Sequence, residues 1–333
     1  MPPRADSSPN PSPRAAATPT VWRPLLLLRC LAVLLPGYHH PDEFFQGPEP
    51  MARDVLGLAA TIPWEFAESP PCRSVLSALL TSGLPLGLVG VLGMPPAWLG
   101  AAVLLAPRLW MAGLSCAVDC AVLRLCRASG LEGSARPALL LLGTAWPCLL
   151  LLCRPLSNAL ETALLAAALS VAVGAEPPRP DASDAARWRR FGVISAAGVF
   201  TRFTFVVFGA VLGAWMALRA LGNFAVWSVD RRRVVRVAKE ICHGLAAFCL
   251  ASACIVVLDS LYFGTLSLTF RGGAADDDGP QALTVPRLLS ALLFGEGGAA
   301  AGAAGLGATL GGFFERLGRV GVRGNLTYTP LNR

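Results

Sequence analysis

The amino-acid sequence predicts an all-α polytopic membrane protein, and three observations support this prediction. Apolar residues make up 54% of the 333 residues, charged residues contribute only 15%, and the mean hydropathy is +0.56. Soluble domains carry about 25% charged residues. The apolar residues also fall into long runs separated by short arginine-rich stretches, which is typical of membrane-spanning helices and their flanks. This composition excludes an intrinsically disordered chain, a coiled coil and a secreted disulfide scaffold.

The charge and the cysteines agree with a membrane protein. The net charge of +7 comes from 27 arginines and a single lysine, Lys239. Arginine clusters at the ends of apolar runs follow the positive-inside rule, whereas a nucleic-acid-binding protein would need a soluble basic face. Most of the ten cysteines lie in apolar runs, where a thiol is a small buried apolar group. We therefore expect no disulfide framework and no nucleic-acid partner.

The N-terminal part predicts a disordered segment, a first span and a luminal loop. Residues 1–20 are rich in Pro, Ser and Ala and have no apolar period. The apolar run 21–36 lacks a small-residue cleavage site, which favours an uncleaved signal anchor. Residues 38–74 carry six acidic and two basic residues, so we expect this loop on the luminal side.

Three basic stretches, 124–136, 179–190 and 231–239, are expected on the cytosolic side. The chain must then cross an odd number of times between the luminal loop and Arg124. The simplest solution makes 75–93 an interfacial luminal helix.

The remaining spans follow from the same parity argument. One helix crosses from about Arg108 to Leu123. Residues 138–175 and 191–221 each enter and return, and a final span covers 241–262. The predicted luminal breaks are 154–162 and 201–204. A transmembrane domain thus covers 21–271, and 272–333 is a Gly/Ala-rich luminal loop and chain end.

This topology places Arg108, Arg154 and Arg202 at the luminal membrane surface, at breaks between segments rather than inside helices. Charges at the membrane edge are costly and are candidates for function. Guanidinium groups hold phosphate oxygens in a bidentate manner, so the three arginines suggest a site for an anionic lipid phosphate. The alternative is that each arginine reaches the headgroups or pairs with a nearby acid such as Glu161.

The most distinctive motif is His-Pro-Asp-Glu-Phe-Phe-Gln at 40–46, directly after the first span. Its two adjacent carboxylates, Asp42 and Glu43, are candidates for chemistry at a membrane exit. The structural alternative is an acidic pair that stabilises a helix N-terminus. His39 and His40 with Asp42 do not complete a metal-ligand set, so no metal is expected.

The motifs resemble those of the mannosyltransferases that use dolichyl-phosphate mannose in the GPI-anchor and N-glycan pathways. The first motif is most similar to the branch that adds the fourth mannose to the GPI precursor. The third GPI mannose and the N-glycan precursor are the alternatives. Further similar segments run in order from about residue 22 to 332: Pro63–Phe66, Ser69–Ser74, Pro107–Leu109 with Asp119, Arg154–Asn158, Thr201–Phe203, Asp259–Gly264 and Asn325–Asn332.

The resemblance implies a GT-C-type helical bundle in the endoplasmic reticulum membrane, with a catalytic luminal loop after the first span. The implied partners are dolichyl-phosphate mannose as donor, a mannosylated GPI precursor as acceptor and the membrane itself, with no cofactor. Relatives continue for several spans beyond 325–332, so a C-terminally truncated chain is expected.

An inverting transfer of this kind needs one base and stabilisation of the leaving phosphate. We assign Asp42 as the base and expect Glu43 to position the acceptor or to tune the base. Arg108 or Arg202 first, and Arg154 second, are expected to hold the phosphate. His40, Trp64 and Glu65 are predicted to line the substrate site, with core packing as the alternative for Trp64.

Two non-catalytic alternatives remain at this point. A transporter or lipid-binding membrane protein would share the composition and spans, but it predicts charges inside helices that line a path. A truncated isoform without activity would share every motif.

Overall fold

The computed structural model describes residues 21–66, 71–174, 184–222 and 231–264, and these residues contain helices and connections without a strand. The predicted all-α class is confirmed. The helices are α1 (Trp22–Val33), α2 (Asp42–Phe45), α3 (Pro48–Leu56), α4 (Val75–Ala78), α5 (Leu84–Leu92), α6 (Pro96–Ala128), α7 (Ala135–Thr144), α8 (Ser157–Val173), α9 (Ala185–Thr201), α10 (Phe205–Leu221) and α11 (Arg231–Phe263).

Short irregular helical turns complete the described chain. A π-helical turn at Leu79–Gly83 joins α4 to α5, and another at Pro147–Leu151 follows α7. Short 3₁₀ turns occupy Trp64–Phe66 and Glu132–Ser134. The predicted disordered segment 1–20 and the predicted Gly/Ala-rich region 272–333 lie outside the described residues.

Within the described residues, three helices are long and apolar enough to cross a membrane: Val75–Leu92, which runs through α4 and α5, together with α6 and α11. The apolar helices α8 and α10 are shorter, with 17 residues each. In the predicted first span, the observed helix α1 covers only 12 residues. It ends before Pro36, because a proline disfavours the helical conformation of the residue that precedes it.

Helix α6 differs from the prediction. A break was predicted near Arg108, but α6 runs without interruption through 33 residues with Pro107 inside it. Arg108 therefore lies within a helix, and the prediction that it occupies a break was wrong. A membrane helix tolerates an internal proline where neighbouring groups compensate for the missing backbone hydrogen bond.

The predicted break at 201–204 is confirmed, because α9 ends at Thr201 and α10 begins at Phe205. Helices α9 and α11 cross closely at two glycines. A Cβ atom on Gly192 would lie 2.1 Å from the carbonyl oxygen of Gly244. Because neither glycine has a side chain, the two backbones can approach each other closely, as they do at small residues in membrane helix pairs.

Long-range contacts divide the bundle into two ends. At the arginine-rich end, Trp22 donates a hydrogen bond to Asp119. Four arginines at this end donate to backbone carbonyls near helix ends: Arg124 to Ser170, Arg187 to Ala172, Arg219 to Val173 and Arg233 to Ala220. At the acidic-loop end, Arg108 meets the chain after α1, Arg202 meets Ser157, and Ser74 meets Asp259. Described parts of all three basic stretches thus lie at one end, as expected if they share one side of a membrane.

The segment 75–92 packs at the acidic-loop end. Positions Gly83 and Gly90 of this segment lie against Met51 and Leu56 of α3, and the indole nitrogen of Trp110 donates to the Leu80 carbonyl. Its length and composition would allow a crossing. The expectation of an interfacial luminal helix stays a prediction.

Candidate active site

Glu43 is the anchor of the loop that carries the first motif. It lies in the short helix α2, its residue is 1% exposed, and its Oε1 atom meets two arginines. Nη2 and Nε of Arg108 lie 2.7 and 2.9 Å from this oxygen. Nη1 of Arg154 donates to the same oxygen at 3.0 Å. Two cations on one buried carboxylate compensate for its burial.

The same two arginines also hold the backbone between α1 and α2. Arg108 donates to the carbonyls of Leu35 and Gly37 at 3.2 and 2.6 Å, and Arg154 donates to the same two carbonyls at 3.4 and 3.2 Å. Gly37 has a positive φ of 83°, a conformation that glycine adopts without strain and that turns the chain here. Arg108 and Arg154 therefore fix the loop rather than presenting free guanidinium groups.

Asp42 has the opposite environment. Its side chain is 44% exposed, and Nδ1 of His40 lies 3.4 Å from its Oδ1. The backbone N–H of Asp42 donates to the same Nδ1 at 3.2 Å. One carboxylate of the adjacent pair is thus a buried anchor, while the other is open to a substrate.

A second polar network connects four segments of this end. Gln46 Oε1 accepts hydrogen bonds from Arg73 at 3.3 Å and from Ser157 at 3.0 Å. Arg73 also pairs with Glu65 at 3.0 Å. Arg202 donates to the Ser157 hydroxyl at 3.3 Å. The Gln46 N–H donates to the Asp42 carbonyl at 3.1 Å, so the network includes a residue of the same helical turn as the exposed carboxylate.

Glu161 extends the network to the start of α10. Its carboxylate lies 3.1 Å from Arg202 Nε and accepts a 2.5 Å bond from the Thr204 hydroxyl. The alternative proposed for Arg202, pairing with a nearby acid, is therefore present in the structure. The Arg202 side chain nevertheless keeps 34% of its surface exposed.

Arg73 and Arg202 line one cavity of about 330 Å³ between segments 72–74 and 199–204. Ser74 caps the start of α4, where its hydroxyl accepts the Leu76 N–H. The buried Asp259 of α11 accepts bonds from the Ser74 hydroxyl and from the Val75 N–H, both at 2.9 Å. Arg73 and Arg202, which pair with Glu65 and Glu161, both line this cavity, and guanidinium groups can hold an anion such as a phosphate there.

Comparison with known proteins identifies the family. The sequence model of the Alg9-like mannosyltransferase family matches residues 20–271. The chain belongs to this family.

Curated relatives are similar in sequence to this chain over about three quarters of the chain's length. Human GPI alpha-1,2-mannosyltransferase 4 is 39% identical over 260 residues, which are 75% of this chain and 43% of the relative. GPI mannosyltransferase 4 of Drosophila melanogaster is 30% identical over 286 residues, which are 72% of this chain and 39% of the relative. The matched region thus spans less than half the length of these relatives. No solved structure gives a significant match.

The sequence-predicted residues of this Alg9-like chain gather at the acidic-loop end. The structure pairs Asp42 with His40 and Glu43 with Arg108 and Arg154. Arg202 is connected to Gln46 of the same motif through Ser157. Glu65 joins them through Arg73. Trp64 is 76% exposed, so the core-packing alternative for this residue was wrong. Its exposed indole is available to a substrate.

Four residues of the network were not among the predicted site residues: Gln46, Arg73, Ser157 and Asp259. All four lie inside the motifs on which the resemblance rests, and this was the signal that could have identified them. Their partners lie between 8 and 185 positions away in the sequence, so spacing alone did not reveal the contacts.

Cys72 at this end of the bundle is a poor candidate for a nucleophile. Burial and the nearby Glu65 carboxylate raise the pKa of Cys72, so its thiol stays protonated near neutral pH and is a weak nucleophile. Among the described residues, no group of three His, Cys, Asp or Glu side chains is arranged to hold a metal ion.

Proposed function

We propose that this Alg9-like chain transfers the fourth mannose of the GPI precursor, in α-1,2 linkage, from dolichyl-phosphate mannose at the luminal face of the endoplasmic reticulum membrane. The observation that carries the proposal is the exposed carboxylate of Asp42, which begins the helical turn that Gln46 closes beside the arginine network. One base and an anion site are the two groups that an inverting transfer from a lipid phosphate requires.

The reaction is a single displacement at the mannose C1 atom. Asp42 accepts the proton of the acceptor hydroxyl while that oxygen forms the new bond to C1. The bond between C1 and the phosphate oxygen breaks, and the electron pair leaves with the phosphate. The leaving group departs as an anion without a general acid, and the β-linked donor gives an α-linked product.

The arginines divide into two roles in this mechanism. Arg73 and Arg202 line the cavity and hold the phosphate oxygens of the donor. Arg108 and Arg154 act through Glu43, since their guanidinium groups bond this carboxylate and the backbone before α2. This assignment makes Glu43 a positioning residue and differs from the expectation that Arg108 and Arg154 contact the phosphate directly.

The names of the similar proteins favour the fourth mannose over the alternatives. The human relative is called GPI alpha-1,2-mannosyltransferase 4, and the fly relative shares the number. Transfer of the third GPI mannose, or of an N-glycan mannose, would use the same base and anion site.

The test is a transfer assay in microsomes from cells that lack the endogenous enzyme. We expect a GPI precursor with three mannoses to gain one that an α-1,2-specific mannosidase removes. Asp42→Asn should reduce this transfer about 10²–10⁴-fold, because it removes the base and keeps the shape. Glu132→Gln is the matched control, since this exposed acid lies in the turn after α6 at the arginine-rich end.

Other outcomes contradict parts of the proposal. Near-normal transfer by Asp42→Asn would exclude Asp42 as the base. Addition of mannose to a precursor with two mannoses, or to an N-glycan precursor, would instead support one of the alternative transfers. Absence of transfer to any acceptor would support a non-catalytic membrane protein.

A further inference from the structure

Helix α11 carries a buried carboxylate close to its C-terminal end. Asp259 is 0% exposed, and α11 is one of the helices that are long and apolar enough to cross a membrane. An acidic side chain in such a helix is costly, and it often marks a functional site. Asp259 takes no part in the single displacement proposed above, so its place in this helix calls for another explanation.

The Asp259 carboxylate holds the start of the helical segment 75–92. Its Oδ1 atom accepts hydrogen bonds from the Ser74 hydroxyl and from the Val75 N–H, both at 2.9 Å. The Ser74 hydroxyl in turn accepts the Leu76 N–H at 3.2 Å and caps α4. A carboxylate at a helix N-terminus compensates the positive end of the helix dipole. Asp259 therefore fixes the point where the chain before α4 meets α11, across 185 positions of the sequence.

Arg73 is the residue directly before this attachment. Its guanidinium group bonds Gln46 at 3.3 Å and Glu65 at 3.0 Å. Arg73 and Ser74 both line the cavity of about 330 Å³ at this end of the bundle. The two residues are joined by one peptide bond, so a shift of Ser74 also moves the backbone from which the Arg73 side chain extends.

Arg202 offers a comparison within the same cavity. Its guanidinium group is held by Glu161 at 3.1 Å and by the Ser157 hydroxyl at 3.3 Å, and both of these partners belong to α8. Asp259 bonds the chain next to Arg73 instead. A change of Asp259 should therefore act on Arg73 and leave Arg202 in place.

We propose that Asp259 is a positioning residue, which orients the Arg73 guanidinium group toward the donor phosphate by holding the chain at Ser74 and Val75. This inference rests on the proposed function, because it concerns an arginine that was assigned to that donor. Charge-assisted hydrogen bonds are about twice as strong as neutral ones. An aspartate at this position therefore fixes the start of α4 more firmly than an asparagine of the same size would.

Equilibrium binding in phosphatidylcholine nanodiscs tests the proposal. The probe is a fluorescent polyprenyl phosphate mannose, and the measured quantity is its Kd. Asp259→Asn keeps the size of the side chain and removes its charge, so it should raise the Kd about five- to tenfold. Glu240→Gln is the matched control and should leave the Kd unchanged. Glu240 is 5% exposed, lies on the same helix and accepts the Asp184 N–H at 3.0 Å at the opposite end of the bundle.

A double-mutant cycle separates positioning from a general effect on stability. In an Arg73→Ala background, Asp259→Asn should raise the Kd by about twofold at most, because no guanidinium group is left to position. In an Arg202→Ala background, Asp259→Asn should keep its full effect. If Asp259→Asn does not fold, Ser74→Ala takes its place in the cycle, since it removes one of the two bonds to the same carboxylate.

Two results would overturn the inference. They are an unchanged Kd in a folded Asp259→Asn protein, and an equal rise of the Kd with and without Arg73, which would make Asp259 a general structural residue. Donor binding without mannose transfer would contradict the proposed function, and the cycle would still decide the role of Asp259. Normal transfer with an unchanged Kd in Asp259→Asn would contradict the positioning role alone. Absence of donor binding by the unmodified protein would contradict both.

Discussion

Two adjacent carboxylates on one helical turn have opposite environments in this protein. Glu43 is buried against two guanidinium groups, whereas Asp42 remains exposed beside His40. The first motif predicted that this pair was important, but it did not show which carboxylate was accessible. The difference comes from Arg108 and Arg154, which lie 65 and 111 positions further along the chain.

Changing Glu43 to Gln should separate stability from catalysis. The amide would leave two buried guanidinium groups without their anion, and breaking a buried pair in this way costs about 3–5 kcal/mol. We expect a clear fall in the melting temperature in detergent. Asp42→Asn should keep the melting temperature of the unmodified protein and lose transfer. Equal melting temperatures for both variants would contradict the anchoring role of Glu43.

Arg202→Ala and Arg73→Ala should raise the KM for the donor and leave the KM for the acceptor unchanged. A hydrogen bond to a charged group contributes about 1.5–3 kcal/mol, which corresponds to a ten- to hundredfold change. Arg190→Ala is the control, since this exposed arginine lies near the start of α9 at the opposite end. Normal donor dependence in both variants would leave these residues as structural partners of Glu161 and Glu65.

The helices show what a single sequence predicts well. The polar residues at 201–204 interrupt an apolar run, and this interruption correctly predicted where α9 ends and α10 begins. The break predicted beside Pro107 was wrong, since α6 continues through this residue. The close pairing of α9 with α11 could not be predicted either, because a glycine in an apolar run does not indicate which helix packs against it.

Gly192→Ala should disrupt the pairing of α9 with α11. The added methyl group would lie 2.1 Å from a backbone oxygen of Gly244, which cannot move without shifting a helix. Overpacking of this kind costs about 1–3 kcal/mol or more, so the melting temperature should fall. Gly113→Ala in α6 is the control, because a Cβ atom there meets no heavy atom within 4 Å. A Gly192→Ala protein as stable as this control would contradict the observed crossing.

At the scale of the molecule, the two ends of the bundle agree with the charge pattern of the sequence. Arg29 and Asp119 join α1 to α6 through two bonds of 2.6 and 2.8 Å, with both residues buried. Trp22 at the start of α1 also donates to Asp119, whereas Arg108, which precedes Asp119 in α6, donates to the Leu35 carbonyl just after the end of α1. Helices α1 and α6 are therefore antiparallel, as the parity argument requires if Arg124 lies opposite the acidic loop.

Single substitutions can test which side of the membrane each end faces. Ala59→Asn creates the glycosylation sequon Asn-Ala-Thr in an exposed part of the acidic loop, since Thr61 is already present. Asp181→Asn creates Asn-Ala-Ser in the second basic stretch, before Ser183. Neither change removes a basic residue, so the positive-inside signal is kept.

We expect the sequon at position 59 to be glycosylated in microsomes and the sequon at position 181 to remain unmodified. Both substitutions are made in an Asn325→Gln background, because Asn325-Leu326-Thr327 is itself a sequon. A mobility shift that an endoglycosidase reverses measures the modification. The luminal enzyme machinery reaches only luminal asparagines, so the opposite pattern would invert the whole bundle. Asp42 would then face the cytosol, and a luminal transfer through this residue would be excluded.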